Sequence, residues 1–217
     1  MRKLLFVFAT AILLESCVMY TGVYRLSLQE VESPQSLKEK SGESRRAILR
    51  PDGASNFVYE DDLMKIIWEP GTTQFGFKLY NKSSQTLKII WDEASYVNTY
   101  GESQKIFHSG IKYTDRSNSQ PLTTVVKGTS VDEIIMPADN ASYVSGQYGG
   151  WSKTPLFRNT ASSKQEMDEI KNSYLGKVVK IYLPIKTEDK TNEYLFTFQI
   201  DDFREIKSDF QPGNDPK

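Results

Sequence analysis

Val179-Lys180-Ile181-Tyr182-Leu183-Pro184-Ile185 and Tyr194-Leu195-Phe196-Thr197-Phe198-Gln199-Ile200 are the two stretches that decide the fold. In the first, Val179, Ile181, Leu183 and Ile185 fall at every second position. In the second, Tyr194, Phe196, Phe198 and Ile200 do the same. Successive strand side chains point to opposite sides, so each run presents one apolar face. The polar run Glu188-Asp189-Lys190-Thr191-Asn192 between them reads as a turn. Together they predict an antiparallel hairpin whose apolar face needs a second layer to cover it.

The same pattern recurs upstream. Leu63-Met64-Lys65-Ile66-Ile67-Trp68 is apolar on both faces, as a central strand is, and Glu69-Pro70-Gly71 ends it. Phe75, Phe77 and Leu79 alternate with Gln74, Gly76 and Lys78, and Leu87, Ile89 and Trp91 share one face of the next run. The short polar segment Asn81-Lys82-Ser83-Ser84 between these two runs predicts a hairpin there. Further strands are expected at 94–98, 104–108, 122–126 and 131–136, with an early one at 22–30 and a short one at 46–50. Residues 137–161 read as loop, broken by Pro137, Gly146, Gly149, Gly150 and Pro155. One helix is expected: Ser163-Lys164-Gln165-Glu166 is a capping box, Met167, Ile170, Tyr174 and Leu175 recur at helical spacing, and Gly176 stops the run. No βαβ alternation is present. The expected class is mainly β: an antiparallel immunoglobulin-like β-sandwich with one short helix, with a partly open β-barrel as the alternative.

Composition narrows the function classes. The 217 residues carry 27 Lys and Arg against 28 Asp and Glu, and this mixed, near-neutral balance argues against nucleic-acid binding, which needs a basic field. It argues equally against a polybasic membrane surface.

The amino terminus points to a compartment. Met1-Arg2-Lys3 precedes an apolar run from Leu4 to Leu14, the cationic and hydrophobic regions of an export signal. A membrane-spanning helix needs about 20 apolar residues, so this run is too short to be a permanent anchor. Leu14-Glu15-Ser16-Cys17 then resembles the lipobox of bacterial lipoproteins: an aliphatic residue, a variable one, a small one and a cysteine. That resemblance implies cleavage before Cys17 and acylation of its thiol, giving a membrane partner through the N-terminal lipid. The competing reading is a plain secreted protein whose one cysteine falls there by chance. Acylation also accounts for a single cysteine in an exported chain, where a free thiol would be reactive. Val18, in place of the Asp that retains such lipoproteins at the inner membrane, favours the outer membrane. The expected organisation is a signal peptide at 1–16, a lipidated N-terminus and polar spacer at 17–55, a β domain at 56–204 and a polar tail at 205–217.

From Phe57 to Phe203 the chain also resembles lipoproteins of unknown function from Gram-negative bacteria. The resemblance is carried by Ile89-Ile90-Trp91-Asp92, His108-Ser109-Gly110 and Gly146-Gln147-Tyr148-Gly149-Gly150-Trp151. The segments Phe75–Ser83 and Leu87–Trp91 are similar to the hairpin of small immunoglobulin-like domains in envelope lipoproteins. Neither resemblance brings an activity.

Catalytic equipment is sparse in the sequence. His108 is the single histidine, and a zinc site normally needs several His or Cys ligands, so no metal or cofactor is expected. A loop or strand-end histidine with a structural hydrogen bond is the reading adopted. Asp61-Asp62, Asp92-Glu93 and Asp201-Asp202 are adjacent pairs, which on a strand point to opposite faces and form no site by themselves. The glycine-rich Gly146–Trp151 lacks the Lys-Ser/Thr of a phosphate loop. Its Tyr148 and Trp151 are the candidate contacts for an envelope protein or glycan, set against the plainer reading of aromatic residues packed on the domain edge. The expectation is a non-enzymatic, membrane-anchored cell-envelope module that binds or supports. The alternatives are a carboxylate-based hydrolase of envelope glycans and a carbohydrate-binding module using exposed aromatics.

Overall fold

A computed structural model of the chain describes residues 19–34, 44–49, 55–188 and 190–206. The strands are β1 (Tyr20–Glu32), β2 (Ser44–Leu49), β3 (Ser55–Glu60), β4 (Met64–Pro70), β5 (Phe75–Asn81), β6 (Leu87–Ile89), β7 (Ser95–Val97), β8 (Ser103–Phe107), β9 (Thr123–Val125), β10 (Ser130–Pro137), β11 (Ala141–Val144), β12 (Gly150–Lys153), β13 (Thr160–Ala161), β14 (Val178–Lys186) and β15 (Thr191–Ile206), with one helix, α1 (Lys164–Tyr174). The class is mainly antiparallel β, as the alternation predicts.

Its arrangement is that of the partly open barrel. One sheet runs in the order β13-β1-β15-β14-β7-β8-β10-β5-β4-β3-β2, with β6 pairing to β14 and β9 pairing to β6. The sheet curls so that β3, β4 and β5 face β14 and β15. The two halves are joined at a short seam, where Phe107 pairs with Met136 and Ile106 with Pro137. On the other side β1 lies against β3 without ladder bonds.

The fold-deciding hairpin is present, with Ile181 opposite Phe196 and Leu183 opposite Tyr194. Its apolar face is covered by the opposite half of the sheet. Trp68 on β4 packs against Phe196 at 4.9 Å and Phe198 at 5.7 Å on β15, and against Phe77 on its own side at 4.9 Å. Phe57 and Phe75 also reach Phe198. Edge-to-face and tilted pairs of this kind contribute about 0.5–1.5 kcal/mol each beyond the area they bury. A polar cluster closes one end of this interior. The buried Asp61 carboxylate accepts from Tyr59 Oη at 3.1 Å, Tyr194 Oη at 2.9 Å, and the backbone N–H groups of Leu63 and Met64 at 2.9 Å. Burial, and next the Asp61 charge, hold the Tyr194 phenol protonated, well above the tyrosine range.

Two local expectations are corrected. The runs at 75–81 and 87–91 do not form a hairpin. Both edges of β5 are taken by β4 and β10, so β6 has no free edge on that half and crosses to pair with β14 and β9. The buried Asn81 builds the crossing: its Nδ2 donates to the carbonyls of Gln85 and Val125, and its Oδ1 accepts from Ser83 N and Oγ. Residues 137–161 are not loop throughout, because β11 and β12 pair as a separate two-stranded hairpin. Its glycines make the turn rather than break a strand: Gly149 N donates to Gly146 O, and Gly146 has φ +135°.

Helix α1 starts at Ser163, whose Oγ accepts from Glu166 N at 3.2 Å. The Glu166 carboxylate reaches one residue beyond the expected partner, accepting from Ser162 N and Oγ. Met167 and Ile170 are buried, and Gly176 follows at φ +77°, the left-handed conformation that suits a helix stop. Beside the helix, at the start of β1, Gly22 is required by Phe203: a Cβ there would lie 2.0 Å from the Phe203 ring.

Replacing Phe198 with alanine empties the contact shared by Phe57, Trp68 and Phe75. It is expected to lower stability by about 3–5 kcal/mol, read from the midpoint of urea unfolding.

Candidate aromatic site on the projecting hairpin

Tyr148 and Trp151 both lie on the β11–β12 hairpin, outside the main sheet. Tyr148, in its turn, is 95% exposed. Trp151 is 38% exposed and sits opposite Tyr143 across the ladder, their rings 5.7 Å apart and edge to face. A third ring joins from far away in the chain: Tyr113, in the 3₁₀ turn Tyr113–Asp115, lies 5.3 Å from Trp151. The Arg116 guanidinium stands 5.2 Å over the Trp151 ring. That guanidinium is fixed, because its Nε donates to Ala138 O at 2.9 Å and its Nη1 to Tyr113 O at 2.8 Å. Lys153 Nζ lies 5.9 Å from the Tyr113 ring and 3.4 Å from Gln74 Oε1.

A small core holds this cluster in place. Phe107, Met136, Ala138 and Ala141 form an apolar group of their own, with Ile111 and Tyr113 packed against it. The hairpin is therefore anchored at its base, while Tyr143, Val144 and Tyr148 face solvent. Sequence reading finds Tyr148 and Trp151 but misses Tyr113, Tyr143 and Arg116. Tyr143 falls in a stretch read as loop, and Tyr113 and Arg116 lie more than thirty residues away in the chain.

The carboxylate pairs sit on separate elements. Asp61 is engaged in the cluster beneath the β3–β4 turn. Asp92 follows β6; it accepts from Ser119 Oγ, and from Gln120 N at 2.9 Å. These bonds, the Ser119 hydroxyl first, hold its pKa below the usual carboxylate range. Asp201 and Asp202 are exposed on β15, with Asp202 opposite Arg25. Among the described residues no group of three or more His, Cys, Asp or Glu is placed to hold a metal ion. Cys17 lies outside the described residues.

His108 follows β8 at the seam of the barrel. Its ring stacks flat on Trp91, with centroids 4.3 Å apart. Its Nδ1 lies 3.4 Å from Glu133 Oε2, and both side chains are buried. Glu133 also accepts from Thr123 Oγ1 at 2.9 Å and Ser109 N at 3.2 Å, and Thr123 Oγ1 in turn accepts from Trp91 Nε1 at 2.8 Å. Burial raises the Glu133 carboxyl, but the His108, Thr123 and Ser109 contacts outweigh it and hold its pKa below the ordinary value. The arrangement ties β8, β9 and β10 together. Among the described residues no helix is long and apolar enough to cross a membrane. Comparison with protein-family models, with curated proteins and with solved structures finds no match.

Two outcomes are expected. Because folding depresses the Glu133 pKa, its contribution to stability is present above the unfolded glutamate value and lost as pH falls through the folded one. Thermal melts of the wild type should therefore weaken on acidification below about pH 4.5 more steeply than those of Glu133→Gln. Tyr148→Ala should change stability by no more than about 0.5 kcal/mol, since the ring packs on nothing; a larger loss would mean the turn is part of the core.

Proposed function

We propose that the protein is a lipid-tethered, non-enzymatic module of the cell envelope, held by an acylated Cys17, whose contact surface is the aromatic hairpin β11–β12. One observation carries the contact surface: a fixed Trp-Tyr-Tyr-Arg cluster is built around a hairpin that pairs with no strand of the main sheet. Rings and guanidinium groups held rigid at low entropic cost are the side chains that dominate binding interfaces. The tether is supported by Leu14-Glu15-Ser16-Cys17 after an apolar run, and by the absence of any other cysteine in the sequence. The hydrolase alternative receives less support, because a member of each pair is engaged elsewhere: Asp61 with Tyr59 and Tyr194, Asp92 with Ser119 and Gln120, and Asp202 with Arg25. A glycan stacked on Trp151 is also less favoured, because the Arg116 guanidinium stands over the ring and the Tyr113 and Tyr143 rings crowd it, leaving 38% of the residue exposed.

Metabolic labelling with a palmitate analogue tests the tether. Label is expected on the wild type, and Cys17→Ser should lose it and leave the membrane fraction. Retained label on the variant would defeat the reading.

A further inference from the structure

Strand β1 starts three residues after Cys17, so a lipid on that thiol holds Tyr20 within about 11 Å of the bilayer surface. The strand register then decides which end of the barrel faces the lipid. Tyr20 pairs with Ala161, and Thr21 with Ile206 at the far end of β15. The β4–β5 turn and the Asn98–Glu102 turn lie at this same end, as the antiparallel ladders require. The hairpin leaves the barrel here too. The chain running out of β12 bonds Leu156 N to Thr72 O at 2.9 Å, and then Asn159 O accepts from Gly22 N at 2.9 Å. Tyr24 Oη donates to Arg158 O along the same path.

This end carries most of the exposed apolar side chains, while Val126 and the nearby Leu122 are exposed towards the other end. Met19, Val23, Tyr100 and Ile206 are exposed here, in addition to Tyr143, Val144, Tyr148 and Trp151 of the hairpin. Tyr100 has the Lys177 ammonium 4.8 Å from its ring. Charge fits the same picture. A quarter of the chain is charged, yet residues 140–154 contain no acidic side chain and one cation, Lys153. Lys112 and Arg116 flank the cluster, with Asp115 and Asp139 as the nearby acids in sequence. Tyrosine and tryptophan prefer the boundary between hydrocarbon and water, where the ring is shielded and the polar tip stays wet, while Lys and Arg reach the headgroup phosphates.

We infer that the partner of the hairpin is the lipid surface itself: β11–β12 seats its aromatic residues in the headgroup zone of the membrane that holds Cys17. The inference rests on the tethering reading above. Acyl chains on a flexible terminus tether the protein without orienting it, and a second contact converts tethering into a fixed orientation of the barrel.

The test uses the full protein, reconstituted from detergent into vesicles of phosphatidylcholine and phosphatidylglycerol, with or without bromine on the acyl chains. Trp68 and Trp91 are buried, so quenching by bromine reports on Trp151. The mass of the isolated protein is measured first. Where Cys17 proves to be a free thiol, it is coupled to a maleimide lipid, so a failure of natural acylation appears in the mass and leaves the hairpin test intact. Brominated lipid is expected to remove the emission share of one of the three tryptophans. Trp151→Phe should abolish that difference, and Tyr148→Ser should reduce it while the thermal melt is unchanged. Equal emission in the two vesicle types, with the protein floating with the vesicles, would overturn the inference. So would protection of Trp151 by a bound protein rather than by lipid.

Discussion

The indole of Trp68 is the point on which the two halves of the sheet close. Without it, β3, β4 and β5 would present one apolar face to water, and so would β14 and β15. The rings of Phe196 and Phe198 meet it from across the interior, and Phe77 meets it from alongside. No disulfide supports this closure within the domain, because the chain holds one cysteine, ahead of the first strand. Shape-matched aromatic burial therefore supplies the cohesion, and the Asp61–Tyr59–Tyr194 cluster caps it with fully satisfied polar groups. The seam at β8–β10 then needs only two residue pairs, since packing already holds the halves together.

What the sequence reveals follows from what is local. Alternation marks β5, β14 and most of β15, because inward positions such as Phe75, Phe77 and Leu79 must be apolar. The capping hydroxyl of Ser163 and the stop at Gly176 are equally legible, since both act within one helical turn. Partner choice is not local. Nothing in Leu87–Trp91 states that both edges of β5 are already occupied, so the hairpin expected there is replaced by a crossing through Asn81. The β11–β12 hairpin is hidden for the opposite reason. Its glycines resemble breakers, although Gly146 and Gly149 provide the turn that lets Tyr143 face Trp151.

The candidate site shows the same division. Tyr148 and Trp151 stand out as aromatic residues among glycines. The groups that hold Trp151 rigid do not, because Tyr113 and Arg116 come from a separate loop and Ala138 accepts the guanidinium through its backbone. A backbone acceptor leaves no trace in residue identity. His108 and Glu133 are 25 residues apart and meet only because β8 and β10 are neighbours, so their pairing is a property of topology.

The first strand has a mechanical consequence. β1 runs antiparallel to β15 from Thr21 to Glu32, with irregularities at Arg25/Leu26 and Leu28/Glu30. A load entering at Tyr20 along the strand axis pulls the whole ladder in shear, so its hydrogen bonds resist together instead of unzipping one after another. The two irregularities interrupt a uniform repeat and oppose sliding by a fixed step. A pull on the amino-terminal end of the barrel is thus spread along a whole ladder, as a rope woven into the side of a load carries it better than one knotted to its surface.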